Sequence, residues 1–579
     1  MKAGLNKLSL IACLVVSLVF FQQRILRSDL GSGEPLKVTT WDSFGYYAYL
    51  PGIFIYGDVT KLEWLPEIES KYNLIGNDLY QASLQENGNY VFKYLGGIAI
   101  LEAPWFALGH LVAKSSHFPA DGFSPPYQYS LAFGSIMYAI LGLLILRSLL
   151  KKFFADGIVA LTIILMGLAT NLIQYVSVDS AMSHSFIFFL YSVVLYGTNQ
   201  WHSKPRMCWA ILVGFVIGLA TISRPTEAIM VLIPLLWSTE SKEASKSKWA
   251  LVKSNRKHVI AAALFGIIAI LPQLIYWKYA SGSFVHNVGS KWVFLNPWFR
   301  VLFGWTNGWF IYTPITVFFI AGFFFMKSQV FKKSALVFCL LNIWIIISWF
   351  DWKYGATYST RALVQSYPVF ALPFASFINR VQNSKFRIPF YVLGAYLIFV
   401  NFFQLEQYNK TILHYRDMNR QYYSRIYLNS NPSPLDMSLL DTDEILNSES
   451  KTQTIAVYKK SPLSGLVTDD SGKILLLDTI LPAANRDQNS EWLHIKSNIL
   501  TNEGFYSSYL ACSVQIEDSV KQNAIRLFSP LSSKEKVNQY EFYYLIPELD
   551  GKRRINISVQ SDSQFSGSVE SLEIRYLLK

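Results

Sequence analysis

The sequence has little cysteine and little charge for its length of 579 residues. Three of its four cysteines, Cys13, Cys208 and Cys339, fall in apolar segments, and Cys512 stands alone near the C-terminus. This usage excludes a disulfide framework and the Cys–His spacing of a zinc site. Charged residues make up 16% of the chain, whereas soluble domains average about 25%. The composition therefore excludes an ordinary soluble protein.

Motifs that bind nucleotides are also missing. The sequence has neither a Walker phosphate loop nor the glycine fingerprint of dinucleotide-binding folds, and no internal repeat stands out. A nucleotide-dependent reaction on the cytoplasmic side therefore has no visible site. Any group donor used by this chain must already be in the membrane.

Apolar residues account for 52% of the chain, and the mean hydropathy is +0.26. Apolar runs recur through the first two thirds and predict a polytopic α-helical membrane protein with about eleven spans. We interpret the first run as an uncleaved anchor, and 94–113 as a juxtamembrane or re-entrant helix on the outer face, since Glu102 would be costly against lipid. The predicted spans are 8–23, 128–148, 157–176, 184–200, 208–224, 227–239, 259–279, 311–326, 335–350, 362–379 and 388–405.

The formal net charge of +12 reflects topology rather than nucleic-acid binding. Lysine and arginine cluster in five short loops between apolar runs, as expected of cytoplasmic loops. This pattern predicts a multi-pass plasma (inner) membrane protein with a cytoplasmic N-terminus and an extracytoplasmic C-terminal domain. The basic loops lie at 147–152, 204–206, 242–257, 327–333 and 380–387.

The domain organisation follows from where the apolar runs stop. Residues 1–405 form the predicted transmembrane domain, which includes a long outer first loop at about 28–127. A polar connector at 406–454 leads to residues 455–579, where short alternating runs such as 541–546 are separated by Gly, Asn, Asp and Ser. Alternation with such breaks predicts an extracytoplasmic all-β, sandwich-like domain.

The predicted topology collects unusual polar and aromatic residues on the outer face. Asp42 could accept a proton from an attacking hydroxyl, and outer basic residues could hold a phosphate through charge-assisted hydrogen bonds. Tyrosines could stack on sugars, and His184 and Asp179 could orient a substrate. Besides Asp42, the candidate substrate-binding residues are Tyr46, Tyr47, Lys93, Asp179, His184, Arg224, Lys291, Lys353, Tyr354 and Arg361.

Each of these residues also has an ordinary structural explanation. Aromatic residues at helix ends form interface belts, and basic residues there contact lipid headgroups. Arg224 can pair with Glu227, His184 can be a structural hydrogen-bonding residue, and Asp42 can be a solvated loop residue. Only their joint occurrence on one face favours a functional site.

The arrangement resembles the GT-C clan of membrane glycosyltransferases, and within it the protein O-mannosyltransferases and the lipid A aminoarabinose transferases. The resemblance covers roughly residues 1–405. It rests on Asp42 with Tyr46-Tyr47-Ala48, on Asp179 within 177–184, and on 218–220 leading to Arg224-Pro225. The family often has two adjacent acids in this loop, whereas Ser43 follows Asp42.

The resemblance implies a fold and a reaction. The first-loop acid would be the catalytic base or would help to hold a divalent metal, and the donor would be a polyprenyl-phosphate sugar. We therefore expect a cell-envelope hexosyl- or pentosyltransferase that transfers its sugar, with inversion, to a hydroxyl of a protein, glycolipid or polysaccharide. The alternatives are a transporter or flippase for a lipid-linked glycan, and a non-catalytic scaffold of an envelope complex.

Overall fold

The computed structural model describes residues 7–27, 36–76, 78–446, 452–469, 471–482, 490–549 and 551–579. The chain divides into two compact units, Met1–Phe402 and Phe403–Lys579. The first unit is mainly helical, and an all-β region occupies most of the second. The predicted change from apolar helices to a C-terminal β region is therefore confirmed.

The first unit begins with α1 (Leu8–Leu26), α2 (Asp42–Tyr47), α3 (Tyr49–Phe54), α4 (Leu65–Tyr72), the paired strands β1 (Ala82–Leu84) and β2 (Tyr90–Phe92), and α5 (Gly97–Lys114). It continues with α6 (Pro125–Leu150), α7 (Asp156–Leu168), α8 (Leu172–Ser177), α9 (Ser183–Ser203), α10 (Met207–Thr221), a 3-10 helix (Pro225–Val231), α11 (Leu232–Leu236), α12 (Lys242–Ser254) and α13 (Arg256–Ser281). The remaining elements are α14 (Arg300–Phe303), α15 (Trp309–Tyr312), α16 (Val317–Ala321) between 3-10 helices at Pro314–Thr316 and Gly322–Phe325, α17 (Lys332–Ile347), α18 (Arg361–Val364), α19 (Tyr367–Gln382) and α20 (Arg387–Asn409), which runs into the second unit.

Among the described residues, four helices are long and apolar enough to cross a membrane: α1, α6, α13 and α20. They coincide with four of the predicted spans, and the chain is a membrane protein. Of the other seven predicted spans, 184–200 lies on α9, which is 21 residues long but less apolar, and six lie on shorter or interrupted helices. The total of about eleven spans is therefore not confirmed and stays a prediction.

The predicted continuous helix at 157–176 is wrong, because α7 ends at Leu168 and α8 begins at Leu172. The hydroxyl of Thr170 donates to the Met166 carbonyl at 2.6 Å and accepts the Leu172 N–H at 3.2 Å. A threonine hydroxyl that bonds the local backbone in this way competes with the helical ladder. The predicted span 311–326 is likewise interrupted, and its first 3-10 helix begins at Pro314, which has no N–H to donate.

Helices α10 and α13 pack with their backbones in close approach. A Cβ atom added to Gly214 would overlap the Ala262 carbonyl, and one added to Gly218 would overlap that of Gly266. Small residues four positions apart permit this approach between membrane helices, where dispersion contacts replace the hydrophobic effect. The absence of side chains at Gly214 and Gly218 is therefore what allows this helix pair to form.

The second unit contains α21 (Arg420–Ile426), α22 (Pro434–Ser438) and two antiparallel sheets. One sheet has the strand order β5-β10-β7-β8, and the other has β3-β11-β6-β9 with β4 also paired to β11. Buried side chains from both sheets, such as Ile495, Leu510 and Ile557, form one core, as in a sandwich. The strands are β3 (Gln453–Lys460), β4 (Leu463–Val467), β5 (Lys473–Ile480), β6 (Glu491–Glu503), β7 (Ser508–Ile516), β8 (Ser519–Arg526), β9 (Val537–Leu545), β10 (Arg553–Ser561) and β11 (Ser566–Leu578).

Substitution Gly214→Val should destabilise the first unit by about 2–3 kcal/mol, because the new side chain meets backbone atoms of α13 that cannot rotate away. The measurement is the thermal unfolding midpoint of the purified protein in detergent. Gly157→Ala is the matched control, since a Cβ there meets nothing within 4 Å and alanine suits a helix better. A Gly214→Val protein that unfolds at the wild-type temperature would contradict the packing described for α10 and α13.

Candidate active site

Asp42 is the first residue of α2, and the rest of that helix is buried. Trp41, just before it, has a positive φ of 50° and donates its N–H to the Leu74 carbonyl at 3.1 Å. Gly45 leaves no side chain between α2 and the Tyr94 ring, which would overlap any Cβ at that position. The buried helix therefore fixes the Asp42 carboxylate and allows Tyr94 to approach it.

The Asp42 carboxylate has hydrogen-bond donors on both oxygens. The hydroxyls of Tyr80 and Tyr94 each donate to Oδ1 at 2.7 Å, and Nη2 of Arg361 donates to Oδ2 at 2.6 Å. The ion pair is largely shielded from solvent, with the Arg361 and Asp42 side chains 16% and 19% exposed. Burial opposes the charge of Asp42, yet the guanidinium and the two hydroxyls outweigh it and hold the pKa of Asp42 below its ordinary value. Asp42 is therefore an ionised carboxylate with its counter-ion in place.

A second polar group lies around the amide of Gln365. Its Oε1 atom accepts a hydrogen bond from Arg224 Nη1 at 3.2 Å and contacts His184 Nδ1 at 2.9 Å. Its Nε2 atom donates to Glu227 Oε1 at 2.6 Å, and the Tyr191 hydroxyl donates to the other oxygen of that carboxylate. Gln365 therefore stands between the side chains of Arg224 and Glu227, which form no described ion pair, although the Glu227 N–H donates to the Arg224 carbonyl at 2.9 Å.

Tyr46 connects the two groups. Its ring meets the Tyr94 ring edge-on with centroids 4.7 Å apart. Its buried hydroxyl interacts with Ser183 and lies in the electrostatic field of Arg224, Asp42 and Arg361. Tyr354 also lies in the field of Arg224 and Arg361, although its hydroxyl donates to the Ile346 carbonyl at 2.5 Å. The structure therefore brings six predicted residues into one region: Asp42, Tyr46, His184, Arg224, Tyr354 and Arg361.

The pKa of Asp179 is displaced in the opposite direction from that of Asp42. Gln174 Nε2 donates to its carboxylate at 3.2 Å, and the charges of Arg361 and Arg24 act on it. Burial outweighs these contacts and raises the pKa of Asp179 above its ordinary value. Two acids that interact with the same guanidinium therefore have pKa values displaced in opposite directions, a pattern typical of functional sites.

The other four predicted residues have described contacts elsewhere. Tyr47 is fully buried, and its ring packs against Phe106 and Phe123 in the core. Lys93 is exposed just after β2. The Nζ atom of Lys291 lies 5.9 Å from the centre of the Phe350 ring, and the Nζ atom of Lys353 lies 5.8 Å from that of Trp352. Their part in substrate binding stays a prediction.

Sequence reasoning missed several members of the site. Tyr80 is a single tyrosine in a long loop and gives no signal of its own. Gln365 could have been found, because it follows Arg361 by four positions in an apolar segment, the spacing that places two side chains on one helical face. Tyr94 directly follows Lys93 but reaches Asp42 only because position 45 is glycine.

The residues around Asp42 do not fit a divalent metal ion. Both carboxylate oxygens accept hydrogen bonds, and the Arg361 guanidinium beside them would repel a cation. Within the described part of the chain, no group of three or more His, Cys, Asp and Glu side chains could hold a metal ion. The chemistry available at Asp42 therefore comes from the surrounding side chains.

Substitution Arg361→Met should cost about 2 kcal/mol at neutral pH, because it removes a hydrogen bond between charged groups. Burial then acts on Asp42 without its counter-ion, so its pKa rises above the ordinary value of 3.8. Since a protonated Asp42 needs no cation, the loss relative to wild type should grow from about pH 4.5 to about pH 7. The thermal unfolding midpoints of the Arg361→Met variant and the wild type at the two pH values measure this loss of stability.

The matched control for that experiment combines Arg361→Met with Asp42→Asn. Its deficit should depend less on pH than that of the single variant, because the Asp42 carboxylate is gone and only Asp179 still responds to the loss of Arg361. An equal deficit at both pH values in the single Arg361→Met variant would contradict the ion-pair interpretation.

Comparison with known proteins gives a likeness in structure only. No family model matches the chain, and no curated protein does. An apo structure of the Archaeoglobus fulgidus oligosaccharyltransferase is similar at a TM-score of 0.45 and 12% identity, over 74% of this chain and 59% of that one. An archaeal oligosaccharyltransferase AglB from the same organism, in complex with an inhibitory peptide and a dolichol-phosphate, has a TM-score of 0.43 and 13% identity, over 72% of this chain and 57% of that one. The Archaeoglobus fulgidus oligosaccharyltransferase tethered to an acceptor peptide gives 0.42 and 11%, over 73% and 57%.

These oligosaccharyltransferases are GT-C membrane glycosyltransferases, the clan that the sequence resembles. The chain spans less than two thirds of their length. At these identities and TM-scores, the likeness assigns no residue and no activity to this chain.

Proposed function

We propose that the chain is an integral-membrane glycosyltransferase that moves a sugar from a polyprenyl-phosphate donor to an acceptor hydroxyl on the extracytoplasmic face. The observation that carries the proposal is the Asp42–Arg361 ion pair, with 2.6 Å between Nη2 and Oδ2 and Arg224 in the same region. Sugar transfer from a lipid phosphate needs a proton acceptor for the nucleophile and cations for the departing phosphate. This region offers both.

In the proposed step, the acceptor hydroxyl oxygen attacks the anomeric carbon of the donor sugar. The bond between that carbon and the phosphate oxygen breaks, and the polyprenyl phosphate leaves with the electron pair. The hydroxyl proton passes to Oδ2 of Asp42. Arg361 and Arg224, together with Lys291 or Lys353, stabilise the charge that develops on the leaving phosphate.

The ion pair also suggests how the base is controlled. In the structure Arg361 occupies Oδ2, the oxygen that would take the proton, and lowers the pKa of Asp42. A donor phosphate competes for the same guanidinium. Once Arg361 turns to the phosphate, burial acts on Asp42 with less opposition, so its pKa rises and Oδ2 is free to accept a proton. Tyr80 and Tyr94 keep the carboxylate in place through Oδ1.

The remaining assignments belong to the same proposal. Tyr46, His184 and Tyr354 would contact the sugar, and Asp179 would orient the acceptor.

The proposed topology is that of a multi-pass plasma membrane protein with about eleven spans and its N-terminus in the cytoplasm. The first outer loop at about 28–127 carries Asp42, a connector at 406–454 follows the spans, and the β-rich region 455–579 binds the acceptor or a partner outside. The sugar is a hexose or a pentose, and the acceptor is a protein, a glycolipid or a polysaccharide.

Substitution Asp42→Asn should reduce sugar transfer by about 10²–10⁴-fold, the usual range for losing a general base. The experiment uses purified protein in lipid nanodiscs, a panel of polyprenyl-phosphate sugars and a membrane-extract acceptor, and it measures release of free polyprenyl phosphate. Asp78→Asn is the matched control, because Asp78 is an exposed acid of the same loop that makes only backbone hydrogen bonds in the described contacts. Wild-type rates in the Asp42→Asn protein would end the assignment of the base.

Two other outcomes would favour the alternative functions. Translocation of a lipid-linked glycan in sealed vesicles, with no sugar transfer, would favour a transporter. Full cellular function of an Asp42→Ala variant, with stable co-purification of envelope proteins, would favour a scaffold.

Arg361→Lys tests the proposed control of the base separately. Lysine keeps the charge but loses the planar fork that engages carboxylate and phosphate. We expect the fold to stay intact. Sugar transfer should be slower than in wild type at each donor concentration. A variant with unchanged kinetics would show that Arg361 acts only as a structural counter-ion.

A further inference from the structure

A large apolar cavity runs along α10 and α13, beside the glycine contact that joins them, and its described lining is separate from the candidate active site. Its volume is about 460 Å³. Its walls are small and aliphatic side chains of the two helices, including Val213, Ile217, Ala263 and Ile267. Because α13 is one of the four helices that can cross a membrane, the cavity lies at the depth of the lipid hydrocarbon.

The length of the cavity matches one leaflet of a bilayer. On α13 the lining residues run from His258 to Ile270, twelve positions that correspond to roughly 18 Å of helix. One leaflet of the hydrocarbon core is about 15 Å thick. The cavity is therefore long enough for one acyl chain lying parallel to the helices.

One end of the cavity is polar. The Thr198 hydroxyl is buried and the Nε2 atom of His202 is shielded from solvent, yet neither atom has a hydrogen-bond partner among the described residues. His202 Nδ1 contacts the Thr198 carbonyl at 2.9 Å, and since a carbonyl only accepts, the proton is on Nδ1. Nε2 is then an acceptor that faces no donor. Buried polar atoms of this kind call for a ligand or water.

Lys248 of α12 lines the same end. Its ammonium donates to the carbonyls of Pro234 at 2.8 Å and of Leu235, so its position is fixed. Burial lowers its pKa to about 8, and a neighbouring anion would favour its charged form. Three tryptophans, Trp201, Trp209 and Trp249, also line the cavity, and tryptophan is enriched where protein meets the headgroup level.

We propose that this cavity is a binding site for a glycerophospholipid, with an acyl chain along the surface of the α10–α13 pair and the headgroup at Thr198, His202 and Lys248. The lipid phosphate would accept from the Lys248 ammonium and the Thr198 hydroxyl. A headgroup that carries an ammonium or a hydroxyl, such as phosphatidylethanolamine or phosphatidylglycerol, would donate to His202 Nε2. Every orphan polar atom of the cavity would then have a partner.

The polyprenyl chain of the proposed donor fits the site less well. The polar end lies beside Trp209, near the start of α10, whereas Arg224 follows the other end of that helix. A donor with its phosphate at Arg224 would place hydrocarbon against Thr198 and His202 and leave them without partners. The phospholipid site is therefore separate from the proposed catalytic region and does not depend on that proposal.

The test is native mass spectrometry of the full chain, released from nanodiscs that contain phosphatidylethanolamine and phosphatidylglycerol. We expect one retained phospholipid per wild-type protein and at least a tenfold lower occupancy in Lys248→Met. Lys253→Met is the matched control, since it removes the same charge from an exposed position of α12. Because Lys248 also holds the α11 carbonyls, His202→Phe is a second variant that leaves those contacts intact, and it should lose the lipid as well.

Three results would overturn the proposal: no retained phospholipid in wild type, equal retention in His202→Phe and wild type, or displacement of the phospholipid by polyprenyl phosphate added as a competitor. None of these readouts involves sugar transfer. A failed phospholipid site and a failed glycosyltransferase assignment can therefore be told apart.

Discussion

The arrangement of the first unit depends on one ion pair, between Asp42 and Arg361, that is largely shielded from water. Asp42 and Arg361 are 319 positions apart in the chain, yet their side chains meet at 2.6 Å and are mostly shielded from solvent. An ion pair of this kind gains little unless the remaining lone pairs are also satisfied. Tyr80 and Tyr94 satisfy them, and Gly45 makes room for Tyr94. The first loop and α18 are thus held together by a contact that tolerates few changes.

The same pair limits the chemistry. A carboxylate whose counter-ion is already in place is a weak base, whereas a carboxylate without one would be costly to bury. A reaction that introduces its own phosphate resolves this conflict, because the incoming anion takes over the guanidinium. Burial of Asp179 is less well compensated and raises its pKa, and the charge of Arg361 acts on both carboxylates.

Part of the fold and of the candidate site could be predicted from the sequence. Why a residue was predicted or missed differs from one residue to the next. Apolar runs are a local property, so α1, α6, α13 and α20 were predicted close to where they lie. Arg224 and Arg361 were predicted because charges at helix ends are conspicuous in an apolar chain. The break at Thr170 was missed, since it depends on a hydroxyl that bonds its own backbone. Tyr80 was missed because its role comes entirely from tertiary structure. The all-β region needed only alternation and turn residues, which short windows reveal.

The break between α7 and α8 has a consequence for what can reach the site. A helix of 13 residues such as α7 extends roughly 20 Å, less than the roughly 30 Å of a hydrocarbon core. In the proposed topology α7 starts at the cytoplasmic face, so the chain from 169 onward, with Asp179 at its far end, begins below the outer surface of the membrane. Non-helical backbone at that depth needs internal partners, and Asn171 supplies one by donating to the Tyr358 carbonyl. In the proposed reaction, an acceptor that contacts the start of this segment enters the thickness of the bilayer, which a narrow extended segment or a lipid headgroup can do and a rigid globular surface cannot.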